Sequence, residues 1–576
     1  MNKRFARIFA LSLVVMLTAG CATASLTQTA SPAQAAAIAL LEQGKSREAA
    51  QQLEAQAATA SGAQRSRLLA DAAFAWNEAG DAARARSLLA QVTPRQLSGD
   101  EKGRYQLLSA EFALADKQPA QALQALGGNP PQGLSPAYQA RWHLVRGKAL
   151  EANGNPWEAA GERSRADAAL TGQVRGDNQR EIMRLLASLD DNTLRGGASA
   201  LPAGDPLYNF AGRALLNRGL PLPRPFDRAQ WSFDTSKRPP ADRDGYRPPV
   251  KLAVLLPLTG TMATAAAPVR DGLLAGYYAE SRHRPQIEFL DTAGTAGGAT
   301  AAYERAVAGG ADYVVGPLGR DEVSALFARA DLAVPVLALN RPADSREPPA
   351  GSAGFSLAPE DDGIMAAEFL LQHGQRNALV VATSDDNGRR AAQAFRERME
   401  QRGGKVAGSV SVAEVPGDVS AQLRNYSVAD SVFLAVRGPT ARALTPQLAM
   451  AGLAGKPRVG TSQLVLGTGK PEEDMALDGI AFPAERWSST GVAGLPSAAT
   501  VATTLPTARG PAARLFAFGY DAWLIAAFLE PLAKGAEGGL RGATGTLYLD
   551  GFGNVLRSPA WATFSGGRAM PVAGSR

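Results

Sequence analysis

The 576-residue chain is poor in the side chains from which most metal and nucleophilic sites are built: it has one cysteine, Cys21, and three histidines, His143, His283 and His373. A single thiol excludes intrachain disulfides and thiolate zinc sites, so apolar cores must hold the fold unaided. The histidines stand far apart, without the spacing of a helical zinc pair, and each reads as a solvated or capping residue. Aromatic residues make up 6% of the chain. They do not interleave with basic residues and no long Lys/Arg run exists, which speaks against a nucleic-acid partner even at a sequence pI near 9.4. Beyond the first twenty residues no stretch is long and apolar enough to suggest a membrane span.

What the N-terminus does contain is a basic segment (Lys3, Arg4, Arg7), an apolar run from Ile8 to Thr18, and Leu17-Thr-Ala-Gly-Cys21. The run is too short to cross a bilayer and has the layout of a secretory signal. The arrangement resembles the lipobox of bacterial lipoproteins, although Thr18 stands where that pattern prefers Leu. The resemblance implies a diacylglyceryl group on the Cys21 thiol, cleavage before Cys21 and acylation of the new amino terminus. Ala22 in place of Asp favours sorting to the outer membrane. Loss of residues 1–20 removes three cations and lowers the formal charge from +6 to +3. A tether over 21–33 then reaches about 40 Å at ~3.3 Å per residue.

Residues 34–194 are rich in Ala, Leu, Gln and Arg with helical spacing, and they repeat. Gly44-Lys-Ser-Arg-Glu-Ala49, Gly80-Asp-Ala-Ala-Arg-Ala85, Lys117-Gln-Pro-Ala-Gln-Ala122 and Gly154-Asn-Pro-Trp-Glu-Ala159 place their alanines 36, 37 and 37 residues apart. Each unit reads as a helix, a turn, and a second helix whose first buried position must be small. The pattern resembles a tetratricopeptide-like solenoid with a slightly long period. Residues 195–249 lose the periodicity and gather proline, the mark of a semi-rigid connector, with a short helix expected near Leu207 to Leu216.

From Lys251 short apolar strands alternate with amphipathic helices, which predicts a parallel α/β architecture over 250–576. Strands are expected near 251–257, 287–291, 313–316, 334–339, 378–383, 405–412 and 431–436, enough for two Rossmann-like lobes. Leu255-Leu-Pro-Leu-Thr-Gly260, Val315-Gly-Pro-Leu318, Leu337-Ala-Leu-Asn340, Leu357-Ala-Pro-Glu-Asp361, Phe518-Gly-Tyr-Asp-Ala522 and Gly542-Ala-Thr-Gly-Thr-Leu-Tyr-Leu-Asp-Gly551 look like type I periplasmic-binding-protein folds. With the lipobox and helical repeats before them, they resemble the penicillin-binding protein activator LpoA family over nearly the whole chain.

That resemblance implies a nonenzymatic outer-membrane lipoprotein that faces the periplasm and stimulates peptidoglycan cross-linking by a class A penicillin-binding protein. The motif inventory agrees with a role other than that of the transpeptidase. There is no Gly-x-Ser-x-Gly elbow and no Ser-x-x-Lys with its companion motifs. Gly455-Lys456-Pro457 and Gly469-Lys470-Pro471 lack the remainder of a phosphate loop. Asp361 and Asp362 read as helix-start carboxylates. No catalytic residue, metal ligand or cofactor is therefore expected. A ligand in the cleft between the lobes would meet Thr259, Gly260, Pro317, Leu318, Asn340, Arg341, Tyr520 and Asp521, placed at strand ends and helix starts. Each also has a structural reading: Gly260 as a turn, Pro317 as a strand terminator, Asp521 as a helix cap. Such a site would fit a solute-binding lipoprotein for an amino acid or peptide, and an envelope assembly scaffold is a third reading.

Overall fold

In the computed structural model the described residues are 31–572, apart from 228–237, 330, 345, 466–470 and 536–537. Cys21, most of the tether and Gly469-Lys470 lie outside them. The described residues form an α-helical N-terminal region followed by a two-lobed α/β region, and contacts divide them into two compact units. The first runs to Phe112 and takes in Pro131–Leu134; the second holds Ala113–Pro130 and everything from Ser135 onward.

Within the first unit, helices Pro32–Glu42 and Ser46–Thr59 form one pair, and Gly62–Glu78 and Ala82–Leu89 the next. Turns at Gly44 (φ 78°) and Gly80 (φ 85°) reverse the chain inside each pair, a backbone state that glycine adopts without penalty. The buried Asp71 carboxylate ties three helices together, accepting from Gln34 Nε2 at 2.9 Å and from Arg104 Nε at 2.8 Å.

The helical segment of the second unit comprises Pro119–Leu126, Pro136–Ala152, Pro156–Asp167, Gly172–Ser188, Asp191–Ala200 and Tyr208–Asn217. Its Gly154 turn matches those above, while the repeat without a glycine turns at Lys117 with φ 58°. The four repeat alanines, Ala49, Ala85, Ala122 and Ala159, are all fully buried. Helix pairing continues beyond 194, and Ile182, Leu186, Leu194, Phe210 and Leu215 share one core. The expected short helix is present as Tyr208–Asn217.

The first lobe opens with strands β1 (Lys251–Leu256), β2 (Gln286–Asp291), β3 (Tyr313–Val315), β4 (Val336–Ala338) and β5 (Ala353–Phe355). The chain then crosses to the second lobe for β6 (Asn377–Thr383), β7 (Lys405–Val412), β8 (Ser431–Ala435), β9 (Arg458–Gly460) and β10 (Ile480–Ala484). It returns for β11 (Leu540–Arg541), β12 (Thr546–Leu549) and β13 (Asn554–Ser558), and crosses a third time for β14 (Ala560–Ser565) and β15 (Arg568–Pro571). The two sheets have the orders β11-β12-β13-β5-β4-β3-β1-β2 and β15-β14-β10-β9-β8-β6-β7. β1–β5 pair parallel, as do β6–β10, most of them joined through helices; the added edges β11-β12-β13 and β10-β14-β15 pair antiparallel. Each sheet is covered on both faces by separate apolar clusters.

Pairing of the first lobe's two central helices explains part of the Phe518 motif. Helices Ala263–Ala279 and Ala512–Ala527 cross at Gly272 and Gly519. A Cβ on Gly272 would lie 1.9 Å from Phe516 O, and one on Gly519 would lie 1.9 Å from Val269 O. Only hydrogen fits at either position. The residues just before β1 also belong to this lobe: Tyr246 is fully buried in its core, Arg247 pairs with Glu530 at 3.1 Å, and Arg238 pairs with Asp312 at 2.9 Å.

Candidate functional site: the interlobe cleft

Three crossings join the lobes, and a cluster of buried charges sits beside them. Asp362, on helix Pro359–Gln372 of the second lobe, accepts from Ser462 N at 3.0 Å and Ser462 Oγ at 2.5 Å. Across the hinge, Arg514 and Arg557 of the first lobe each approach an Asp362 oxygen at 3.8 Å. Arg514 Nε also donates to Glu485 Oε1 at 3.1 Å, just after β10. Burial pushes the Glu485 carboxyl up against the pull of Arg514 and Arg557. Burial likewise pushes the Arg557 guanidinium down.

In front of this hinge lie two adjoining cavities of about 600 and 250 Å³ that share Ala265, Asn387, Gln463, Arg514 and Leu515. The larger is bounded by Pro268, Arg437, Ser462, Glu485 and Trp487. The smaller has an apolar wall of Met262, Leu318, Leu339, Leu357 and Phe518, with Asn340, Arg320 and Arg390 around it.

Of the eight cleft residues expected from sequence, Leu318 and Asn340 line the smaller cavity. Asn340 Nδ2 is held by Leu318 O at 2.9 Å. Thr259 lies in the loop after β1, where its Oγ1 donates to Asp291 Oδ2 at 2.6 Å. Together with the Ala293, Leu258 and Thr259 amides, this hydrogen bond lowers the Asp291 carboxyl below its ordinary range. Gly260 turns the same loop at φ 82°. Pro317 is buried, and its carbonyl accepts from Leu339 N at 2.9 Å. Arg341 points into a different hollow, beside Arg218 and Trp561, and its Nη2 holds both oxygens of Asp361 at 2.8–2.9 Å.

Tyr520 packs in a cluster with Trp487 and Phe516. Asp521 is not a helix cap. It lies within helix Ala512–Ala527 and accepts from Ala543 N at 2.5 Å, Thr544 N at 2.8 Å and Thr544 Oγ1 at 2.6 Å, so it fastens the loop that leads into β12. Burial pushes its carboxyl up to about 6 against those three donors. Among the histidines, His373 caps helix Pro359–Gln372 and contacts Phe369 O at 2.7 Å. His143 is not solvated; its Nδ1 meets Glu162 Oε2 at 2.7 Å.

Sequence reasoning missed Arg320, Asn387, Gln463, Glu485 and Arg514. All stand at or beside the first turn of a helix or the end of a strand, the positions that face a crevice in such sheets. Arg514 lies only four residues ahead of the recognised Phe518 motif. Its role rests on a buried Nη2 without a hydrogen-bond partner, which only the folded chain displays.

Behind the hinge, the helical segment of the second unit touches both lobes. Toward the second lobe, Arg402 pairs with Asp191 at 3.2 Å and with Glu368 at 3.3 Å, and Arg398 pairs with Glu368 at 2.5 Å. Arg218, its side chain fully buried, donates to Asp191 at 2.8 Å and to Leu186 O at 2.9 Å. Toward the first lobe, Arg213 pairs with Asp550 at 3.4 Å, Phe210 packs on Phe552, and Gln179 and Arg175 hold Glu347 at 2.8 Å.

Comparison with known proteins agrees with this architecture. The family described as "LppC putative lipoprotein" matches residues 43–202, 246–426 and 411–567. A penicillin-binding protein activator LpoA of Mannheimia succiniciproducens is 25% identical over 523 residues, covering 85% of this chain and 86% of that protein. One from Photobacterium profundum is 24% identical, covering 84% and 85%. Among solved structures, Haemophilus influenzae LpoA superposes with a TM-score of 0.54 at 20% identity, covering 91% of this chain and 98% of that one; this likeness concerns the fold.

Proposed function

The chain belongs to the LppC lipoprotein family and to its penicillin-binding protein activators of the LpoA type, and from that premise we propose that it binds and activates a class A penicillin-binding protein, stimulating peptidoglycan transpeptidation without catalysing it. The observation that carries this reading is the extent of the likeness: helical region and both lobes align in order with named activators over most of both chains. Lipid on Cys21 anchors the protein to the outer membrane, facing the periplasm. The tether and helical region give it reach toward a synthase held in the inner membrane. Activation is a population shift: docking stabilises a synthase conformation whose cross-linking site is competent, which requires higher affinity for that conformation than for the resting one.

The boundaries proposed are signal 1–20, tether 21–33, helical region 34–194, connector 195–249 and two-lobed domain 250–576. Because Tyr246 and Arg247 pack into the first lobe, an isolated two-lobed fragment should begin ahead of Arg238. Docking is tested by immobilising residues 22–576 and passing the detergent-solubilised class A synthase of the same organism over them. Saturable binding that survives physiological salt is expected. Retention no greater than that of an unrelated inner-membrane protein would contradict the proposal.

A further inference from the structure

The lining of the interlobe cleft carries an imbalance of charge that the activator role does not use. Among the described residues around the two cavities, five are arginines (Arg320, Arg390, Arg437, Arg509 and Arg514) and one, Glu485, is acidic. Three of the five are already occupied. Arg390 is held by Glu360 at 2.7 Å and Asp386 at 3.2 Å. Arg437 is held by Glu414 at 2.7 Å, and Arg509 donates to the carbonyls of Ala502 and Thr503.

The other two are incompletely paired. The Arg320 side chain makes no hydrogen bond or ion pair with any described residue, and its Nε is buried without a partner. Arg514 spends its Nε on Glu485, while its Nη2 is buried with no hydrogen-bond partner and the Asp362 carboxylate stands off at 3.8 Å. A buried guanidinium N–H without an acceptor costs free energy that a bound anion would recover. Arg514 also sits in the first turn of helix Ala512–Ala527, which has no acidic residue there, while the amides of Ala512 and Ala513 are already taken by Arg509 O and Gly510 O at 3.1 and 3.2 Å. An anion beside Arg514 would therefore be met by the side chain, with the positive end of the helix dipole as a lesser contribution. The two arginines border the same 250 Å³ cavity, whose wall also carries the paired Arg390, Asn340 and the apolar Leu318, Leu339, Leu357 and Phe518, with the amides of Asn387 and Gln463 at its junction with the larger space.

We propose that the interlobe cleft is a binding site for a small organic anion, whose carboxylate or phosphate is taken by Arg514 and Arg320 and whose apolar body packs on Leu318, Leu339, Leu357 and Phe518. The combined volume suits a molecule of small-metabolite size. This site is independent of synthase activation, so the two readings stand or fall separately.

Isothermal titration of residues 22–576 tests it with five probes: 4-phenylbutyrate, phenyl phosphate, the neutral 4-phenylbutyramide, leucine and inorganic phosphate. Saturable binding of phenylbutyrate or phenyl phosphate is expected, at least roughly tenfold tighter than the amide, because a charge-assisted bond to a buried guanidinium is at stake. A preference between the first two identifies the anionic group. Leucine and inorganic phosphate should bind more weakly than the favoured probe, since the one carries an ammonium into a cationic site and the other lacks an apolar body. Arg320→Gln removes no hydrogen bond or ion pair among the described residues and should nearly keep the melting temperature while weakening that probe roughly tenfold; Arg514→Gln should do the same to binding. The proposal is overturned if neither anionic probe binds, if the amide binds as tightly, or if Arg320→Gln leaves the affinity unchanged.

Discussion

At the scale of single residues, the segments that carried the family resemblance are chiefly structural. Phe518 stacks on Phe355, Gly519 admits the neighbouring helix, Tyr520 packs near Trp487, and Asp521 fastens the Gly542–Thr544 loop. Asp521 makes a testable case. Burial raises its pKa from 3.8 to about 6 in the folded protein, so the folded state holds this proton more tightly than the unfolded one. The associated stability is fully present below about pH 3.8 and is lost as pH rises through about 6. Asp521→Asn, which cannot titrate, should therefore show a shallower decline in unfolding free energy across that window than the parent. It should also lose about 1–3 kcal/mol, because the amide cannot accept from all three donors. Urea denaturation at several pH values between these limits checks both, and parallel stability profiles for the two proteins would refute the assignment.

At the scale of elements, the buried network behind the hinge fixes the second lobe to the helical segment. Glu368 is the shared anion of Arg398 and Arg402, and it is almost wholly buried. Removing one member of such a network leaves uncompensated buried charge. Glu368→Ala should cost about 3–5 kcal/mol in chemical denaturation, whereas Glu304→Ala, which removes an exposed pair with Arg329, should cost less than about 1 kcal/mol. Equal effects would show that the buried network carries no special weight.

The elements themselves were unevenly legible. Repeat spacing located the helix pairs because a small buried residue and a reversed turn are local needs, met at Ala49, Ala85, Ala122 and Ala159. The strands expected up to 436 are present: the central β1, β3, β4, β6 and β8 read as continuous apolar runs because they are buried, whereas the edge strands β2 and β7 show alternation instead. β9 and β11 span three and two residues, too short for a periodic signal, while β13 and β14 are largely half-exposed and the edge strand β15 is exposed throughout. The cleft was only partly legible for a related reason. Leu318 and Asn340 follow strands the pattern reveals, while Arg320 and Arg514 owe their importance to missing partners, which only the folded chain displays.

At the scale of the molecule, the helical segment of the second unit contacts both lobes on the side away from the cleft, through Asp191 and Arg402 in one direction and Arg213 and Asp550 in the other. A hinge movement would have to rearrange contacts at one of these ends. Attachment is a separate matter and, in the reading proposed above, is chemical. Cys21→Ala should give a folded, exported protein that a salt wash removes from outer-membrane fractions, since no helix among the described residues is long and apolar enough to cross a membrane. Retention of the variant in those fractions after the wash would contradict lipid anchoring at Cys21.

The central claim is activation, and the most direct measurement is the cross-linked fraction of peptidoglycan made from lipid-linked precursor by the class A synthase, with and without residues 22–576. The account predicts a saturable rise in cross-linking that is abolished by blocking the synthase's transpeptidase site with a β-lactam. The same cross-linked fraction at every concentration of the added protein, under conditions where the two demonstrably bind, would contradict it.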